Sequence, residues 1–432
     1  MFSSAFPVMR RPGVTVLLAS SILMFAGFFM LIPLVSVYGT QELGLTAAAV
    51  GSILATRIVL QQGLTIVWGA VADSVGYKTI LAAGIAVRTL GFLMFAFVHD
   101  YWGLMAAGLV AALGGAMFES THKAALAALV PPRERPVAFS LSSTAGRIGT
   151  MLGPPIGVML LPIGFAALSL TAAACFGVAC VAILIFMPAV GAPASAASAA
   201  SARQVNPWRA AVGRLPEMFR AVWADKTFVG FTFLTAGYWF IFSQIFLTLP
   251  LYVSQLSGSE QPVGILLAAN SLFALLMQFP VVAWANRRMA PLPIIIRGCG
   301  IMAAGLSSMA LGVLVPRDWG TWGLVAVMLG PVFLYSLGDL LIQPTVQAVT
   351  GDLARPDALG SYFGFASFGL AVGGGLGNAL GGVLFDQAIA AGMPAAPWFL
   401  YGGLAVVLAA AFRWYGRRIE RTRPQAAAVV VE

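Results

Sequence analysis

Long apolar runs separated by short polar breaks dominate the chain from residue 14 to residue 415. About 20 apolar residues carry a helix across the hydrocarbon core of a bilayer. On that measure the pattern predicts twelve spans. Six lie in the first half, at 14–37, 48–72, 79–98, 102–126, 136–161 and 165–187. Six follow at 228–253, 262–285, 292–315, 321–349, 358–385 and 396–415. A transmembrane β-barrel would show short alternating segments instead. The first run is too long for the apolar part of a signal peptide and has no clean cleavage site after it, so it reads as a retained helix.

Composition agrees with this pattern. The 432 residues are 60% hydrophobic and 9% charged, with a mean hydropathy of +0.92. Soluble domains carry about 25% charged residues, and a soluble fold of this composition would expose large apolar patches. The expected fold class is an all-α membrane protein, with twelve transmembrane helices in two pseudo-symmetric six-helix bundles. The expected division is an N-terminal bundle at 1–188, a cytoplasmic linker at 189–226 and a C-terminal bundle at 227–432. The linker opens with an Ala/Ser tract at 189–202, whose composition is that of a flexible spacer. Trp208, Val212, Leu215, Phe219 and Val222 then recur at helical spacing among basic residues, the pattern of a segment lying on the membrane surface.

The net charge of +9 raises the question of nucleic acid, and its distribution answers it. Eighteen of the 24 Lys and Arg fall in loops and termini on one side of the predicted topology, and Arg317 alone falls in a loop on the other. Basic residues gather on the cytoplasmic side, so both termini are expected there, in the cell inner membrane. Anionic lipid is the partner this charge suits, not nucleic acid. Cys175, Cys180 and Cys299 sit inside spans without metal-type spacing and read as small core residues. No metal and no cofactor is expected. Gly-x-Gly-x-x-Gly, phosphate-loop and zinc spacings are missing, which argues against an enzyme or an ATP-driven pump.

The halves repeat. Gly149, Gly153 and Gly157 return as Gly373, Gly377 and Gly381, 224 residues on. At the same offset Gly114 matches Gly338, Thr121 matches Thr345, Glu119 faces Gln343 and Lys123 faces Gln347. Glycines four apart lie on one helix face and allow close approach of another backbone. The ladder is expected at the surface where the two halves rock against each other. Pro154 and Pro155 belong to the first copy alone.

The turn between spans 2 and 3 reads Gly69-Ala-Val-Ala-Asp73-Ser-Val-Gly76-Tyr-Lys78. Gly76 suits a positive φ, and Asp73 places a negative charge at the cytoplasmic mouth, where the start of another helix would attract it. Such a contact acts as a latch. This turn resembles the loop signature of the major facilitator superfamily. Gly149-Thr-Met-Leu-Gly153-Pro154-Pro155-Ile-Gly157 resembles the antiporter signature of that superfamily's drug:proton exporters. Arg57-Ile-Val-Leu-Gln61-Gln62-Gly63, Gly114-Gly115-Ala-Met-Phe118 and Gly360-Ser361-Tyr362 are similar to the MdtH-like group of multidrug resistance proteins within it. The chain differs from the family pattern at Tyr77, at Val110, where span 4 lacks an embedded Arg, and at Trp284–Arg288, which keeps basic residues without the Asp. The resemblance implies alternating access by a monomer, with protons and a small-molecule substrate as partners beside the lipid bilayer.

Charges inside the spans are the candidate chemistry, because a charge at bilayer depth is costly and usually faces a cavity or a partner. Glu119, His122 and Lys123 share one face of span 4. They read either as an ion pair or as the proton-binding site, with Glu119 as carrier. Asp339, the one acidic residue expected to be buried in the second half, is the rival carrier. Arg57, Arg88 and Arg147 suit a cavity that accepts anionic or zwitterionic molecules. Gln61, Gln62, Tyr238, Trp239, Gln244, Asn270, Gln278, Gln343 and Asn378 are candidate lining groups. The function expected is secondary transport, as proton-coupled export of amphipathic compounds. The alternatives are a permease for a small organic anion, sugar or lipid-like solute, and a lipid flippase or sensor.

Overall fold

The computed structural model describes residues 9, 11, 13–131, 135–188, 220, 222–353 and 359–422. The linker pattern around Trp208 to Phe219 lies outside them. Among the described residues, thirteen helices of ten or more residues carry the fold. They are α1 (Val14–Gln41), α2 (Ala47–Val75), α3 (Tyr77–Phe95), α4 (Tyr101–Leu129), α5 (Arg135–Leu160), α6 (Phe165–Phe186), α7 (Lys226–Ser243), α8 (Thr248–Ser257), α9 (Gln261–Arg288), α10 (Pro291–Ser308), α11 (Gly320–Leu353), α12 (Leu359–Ala390) and α13 (Ala396–Thr422). No strand occurs among the described residues. The fold is that of an all-α, multi-pass membrane protein. Among the described residues, eleven stretches are long and apolar enough to cross a membrane, counting α7 and α8 as one. The twelfth span of the sequence pattern is α5, which forms a 26-residue helix but is diluted by Ser, Thr, Gly and Arg147.

The seventh predicted span is broken where the sequence pattern runs on. Pro250 lacks an N–H and crowds the carbonyl four residues earlier, which disfavours an unbroken helix through Phe246. The chain opens at Gln244–Leu247, and the Gln244 side chain mends the gap. Its Nε2 donates to the Phe240 and Gly377 carbonyls, both at 2.9 Å. Its Oε1 accepts from Thr248 Oγ1 at 2.7 Å. Backbone at membrane depth needs such internal partners.

Contacts divide the chain into two compact units. Unit 1 comprises Met1–Ile32 and Thr56–Met218; unit 2 comprises Pro33–Ala55 and Phe219–Glu432. Helices α1 and α2 are therefore each shared between units, and the division of α1 falls at its internal Pro33.

In unit 1, α3 packs on α4 through glycines. A Cβ at Gly84 would lie 2.6 Å from Met117 Cβ, and one at Gly91 would lie 2.5 Å from the Ala111 nitrogen. Phe92 and Phe176 join α3 to α6 edge to face at 4.6 Å. In unit 2, α10 and α11 repeat the pairing through Gly298, Gly305 and Gly338. Helix α6 buries Leu168, Ala172, Phe176 and Ile183 while exposing Val178, Val181, Leu184 and Ile185. A helix apolar on both faces belongs in lipid.

The turn after α8 holds Glu260, partly buried ahead of α9. Burial, and secondly the charge of Glu42, push its carboxyl above the ordinary carboxylate range. An acid raised in the folded state contributes stability that is fully present below the unfolded value, about 4.3, and is lost as pH rises through the folded value. Glu260→Gln is therefore expected to raise the melting temperature of the detergent-solubilised protein at pH 7.5 and leave it unchanged at pH 4. The gain is below about 1 kcal/mol because solvent reaches the group. A melting curve at each pH checks this.

Candidate functional site

In unit 1, α2, α3 and α4 bring six of the sequence candidates into one cluster: Arg57, Gln61, Gln62, Arg88, Glu119 and Lys123. Arg57 and Gln61 are one turn apart on α2, and Arg57 Nη1 donates to Gln61 Oε1 at 3.0 Å. Gln61 and Gln62 each donate from Nε2 to Glu119 Oε2 on α4, at 3.3 Å. Lys123 Nζ stands 3.8 Å from Glu119 Oε1, with its own side chain 69% exposed. A pair this open contributes little, so Lys123 extends into the open while Glu119 turns to the glutamines. Gly115 makes room for this contact. A Cβ there would be 2.9 Å from the Gln61 amide and 3.1 Å from Arg88 Nη1.

Two aromatic groups that sequence reading missed hold the arginines. The Arg57 and Arg88 guanidinium carbons lie 5.1 and 4.8 Å from the Phe28 ring centroid. Arg88 also stands 5.5 Å from Phe176. Cation–π contacts of this kind contribute roughly 0.5–2 kcal/mol each. Both arginines are buried, and the Nε of each lacks a hydrogen-bond partner among the described residues. Glu119 is close enough for its charge to act on both. Three cations thus surround one carboxylate, and the cluster has surplus positive charge.

His122 is placed elsewhere. It is buried against α1, with Nε2 2.9 Å from Ser21 Oγ and 3.3 Å from the Leu17 carbonyl. It shares α4 with Glu119 but bonds away from it. Arg147 is half-buried on α5.

In unit 2, Asp339 on α11 accepts a hydrogen bond from the Tyr238 hydroxyl on α7. Tyr335, one turn before Asp339, donates to the Phe242 carbonyl at 3.3 Å. Tyr238, Trp239, Phe242 and Phe246 form an aromatic stripe, with Trp239 edge-on to Phe242 at 5.3 Å. Asp339 is half-buried, and it is not the only enclosed acid of the second half. Asp225 is buried at 4% exposure, where it caps α7 through the Thr227 and Phe228 nitrogens and accepts from Tyr362. Sequence reading passed over it because it stands outside the apolar run. Gln244 mends the helix break and so has a structural task. Asn378 bonds the Gly374 carbonyl of its own helix at 2.8 Å. Asn270 and Gln278 on α9 each bury a side-chain oxygen without a partner among the described residues. Gln343 is half-buried on α11.

The sequence matches the profile described as Major Facilitator Superfamily over residues 17–377. The chain belongs to the major facilitator superfamily. Full-length relatives are named Multidrug resistance protein MdtH. That of Photorhabdus laumondii is 31% identical over 415 residues, 95% of this chain and 96% of the relative. That of Salmonella typhimurium is 30% identical over 407 residues, 94% of each. The fold matches a POT family transporter bound to a thioalcohol-conjugated peptide, at a TM-score of 0.73 and 15% identity, over 94% of this chain and 96% of that one. It matches the nucleoside transporter NupG at 0.73 and 16%, over 93% and 99%. The protein is accordingly a membrane transporter of the superfamily for a small-molecule substrate, and not an enzyme.

The superfamily's loop turn has Gly76 at φ +106°, starting α3 one residue after α2 ends. The Gly69 position faces Ser120, Lys78 is half-buried, and the Asp73 side chain lies outside what is described. The glycine ladder is placed differently from the sequence expectation. Gly149 and Gly153 on α5 meet α1, with a Cβ at Gly153 falling 2.7 Å from the Ala26 carbonyl. Gly373, Gly377 and Gly381 on α12 meet Ala236, Phe240 and Gln244 of α7 and the turn after it. Each ladder thus seats its helix on the first helix of the same half, inside one unit. Pro154 and Pro155 lie within the continuous α5 and do not end it.

Proposed function

We propose that this transporter is a proton-coupled exporter of amphipathic small molecules, acting as a monomer by alternating access. In this reading it sits in the inner membrane with both termini in the cytoplasm, and 189–226 is the cytoplasmic linker between bundles at 1–188 and 227–432. The shared description of the relatives, multidrug resistance, supports export. The observation that carries the coupling is the contrast between the two carboxylates. Protonating Glu119 would leave Arg57, Arg88 and Lys123 without a balancing charge. The Tyr238 hydroxyl at Asp339 can donate to the ionised acid or accept from the protonated one, so this contact suits both states. Asp339 is therefore assigned as proton carrier. The Glu119 cluster is assigned as a substrate-binding wall, to which Arg147 adds a further cation. Asp73 is the cytoplasmic latch.

The test is transport in proteoliposomes under an imposed pH gradient, with a panel of cationic and anionic dyes. Flux of at least one dye that reverses when the gradient is reversed is expected. Absence of pH-dependent flux with every dye would sink the proposal. The surplus positive charge in unit 1 supports a second reading, a permease for a small organic anion. It predicts accumulation of anionic dyes alone, on the side away from the added protons.

A further inference from the structure

Asp386 in the last turn of α12 was not among the sequence candidates, and no transport step above uses it. Its carboxylate faces the start of α2. Oδ1 accepts from the Ala47 nitrogen at 3.0 Å and Oδ2 from the Ala48 nitrogen at 2.8 Å. The next free donor, the Ala49 nitrogen, goes to Thr46 Oγ1 at 3.1 Å. The first N–H groups of a helix have no partner within it and carry the positive end of its dipole. A carboxylate bonded to two of them makes charge-assisted hydrogen bonds, the stronger kind.

The backbones around the clamp are pressed together. A Cβ at Gly382, one turn before Asp386, would lie 2.6 Å from the Ala47 carbonyl carbon and 2.9 Å from Ala48 Cα. Gly51, one turn into α2, leaves equally little room against the Asn378 carbonyl. Nearby, the Gln41 amide at the end of α1 bonds Ser254 Oγ on α8. This is why Pro33–Ala55 belong with unit 2 while α2 from Thr56 onward belongs with unit 1. The clamp grips the end of α2 opposite the Asp73 turn.

We propose that Asp386 is a conformational latch. It holds the start of α2 on α12 and releases it whenever that side of the transporter opens. This rests on membership of the superfamily and on no particular substrate or coupling ion. Alternating access requires each side to open in turn, and α2 cannot part from α12 at this end without giving up both hydrogen bonds and uncapping its dipole.

The test reads opening directly, without transport. Ser254→Cys, close to isosteric and 2% exposed, is introduced with Cys175, Cys180 and Cys299 replaced by Ala. Its labelling by a membrane-impermeant maleimide is timed from the side where α2 begins. Asp386→Asn is expected to speed labelling about five- to thirtyfold, the factor that corresponds to the loss of one or two kcal/mol. Ala47→Pro removes one clamp donor at a position where Pro suits a helix, keeps the charge, and is expected to speed labelling in the same direction. Thr46→Ala weakens the same helix end without touching the clamp and is expected to leave labelling near its starting rate. Unchanged labelling in both Asp386→Asn and Ala47→Pro overturns the proposal. So does an equal rise in Thr46→Ala, which would make Asp386 an ordinary helix cap. If Asp386→Asn does not fold, Ala47→Pro against Thr46→Ala decides the matter alone.

Discussion

Asp339→Asn is expected to leave the transporter folded and able to bind substrate, yet unable to accumulate it against a pH gradient. Asn keeps the size of Asp and an oxygen for the Tyr238 hydroxyl, so the α7–α11 contact survives. What disappears is the capacity to gain and lose a proton. One elementary charge moved through 100 mV provides roughly 2.3 kcal/mol. At about 1.4 kcal/mol per factor of ten, that sustains a concentration ratio of roughly fiftyfold per proton. In inverted vesicles the ratio should fall from that order to near one. Glu119→Gln is expected to behave differently. It removes the only carboxylate among three cations, so substrate affinity changes by about tenfold, as for the loss of one charged hydrogen bond, while coupling persists. Vesicles of Asp339→Asn that still accumulate dye as the natural protein does would refute the carrier assignment.

The positions and order of the spans were legible because transmembrane spans need only length and apolarity, and both are written along the chain. The cationic cluster was half legible. Arg57, Gln61 and Gln62 share a face of α2 by spacing alone, and Glu119 stands out as a charge within an apolar run. Phe28 and Phe176 did not stand out, because among many phenylalanines nothing local marks the two that meet a guanidinium from another helix. Tyr335 was readable in principle, one turn from Asp339 on the same face. Asp386 was hidden for the opposite reason. It stands just past a predicted span, where charges are common, and its meaning depends on a contact 339 residues away along the chain. The glycine ladder shows the limit of the helical pattern. Spacing gives a face where backbones approach and does not name the helix that approaches it.

The repeat between halves predicts the largest effect on stability. Gly84 and Gly91 on α3 return as Gly298 and Gly305 on α10, 214 residues on. Gly114 on α4 returns as Gly338 on α11 at 224. The extra residues lie in the 3₁₀ turns Met309–Leu314 and Arg317–Trp319 between α10 and α11, which is why a single offset did not reveal the whole match. The contacts coincide across that shift. A Cβ at Gly114 would stand 2.5 Å from the Gly84 carbonyl oxygen, and one at Gly338 would stand 2.7 Å from that of Gly298. The same register puts Met302 where α3 has Arg88, so this packing is common to both halves and Arg88 belongs to one. Because the obstacle is backbone, a side chain there has no rotamer to escape into. Gly114→Leu and Gly338→Leu are each expected to cost about 3 kcal/mol or more, the upper range for overpacked cores. That corresponds to a fall of roughly 10 °C in melting temperature at about 2–4 °C per kcal/mol. Gly177 on α6 has nothing within 4 Å of a built Cβ, and Gly177→Ala should be neutral or stabilising by up to about 1 kcal/mol. Equal melting temperatures for Gly114→Leu and Gly177→Ala would show that α3 and α4 do not pack backbone to backbone.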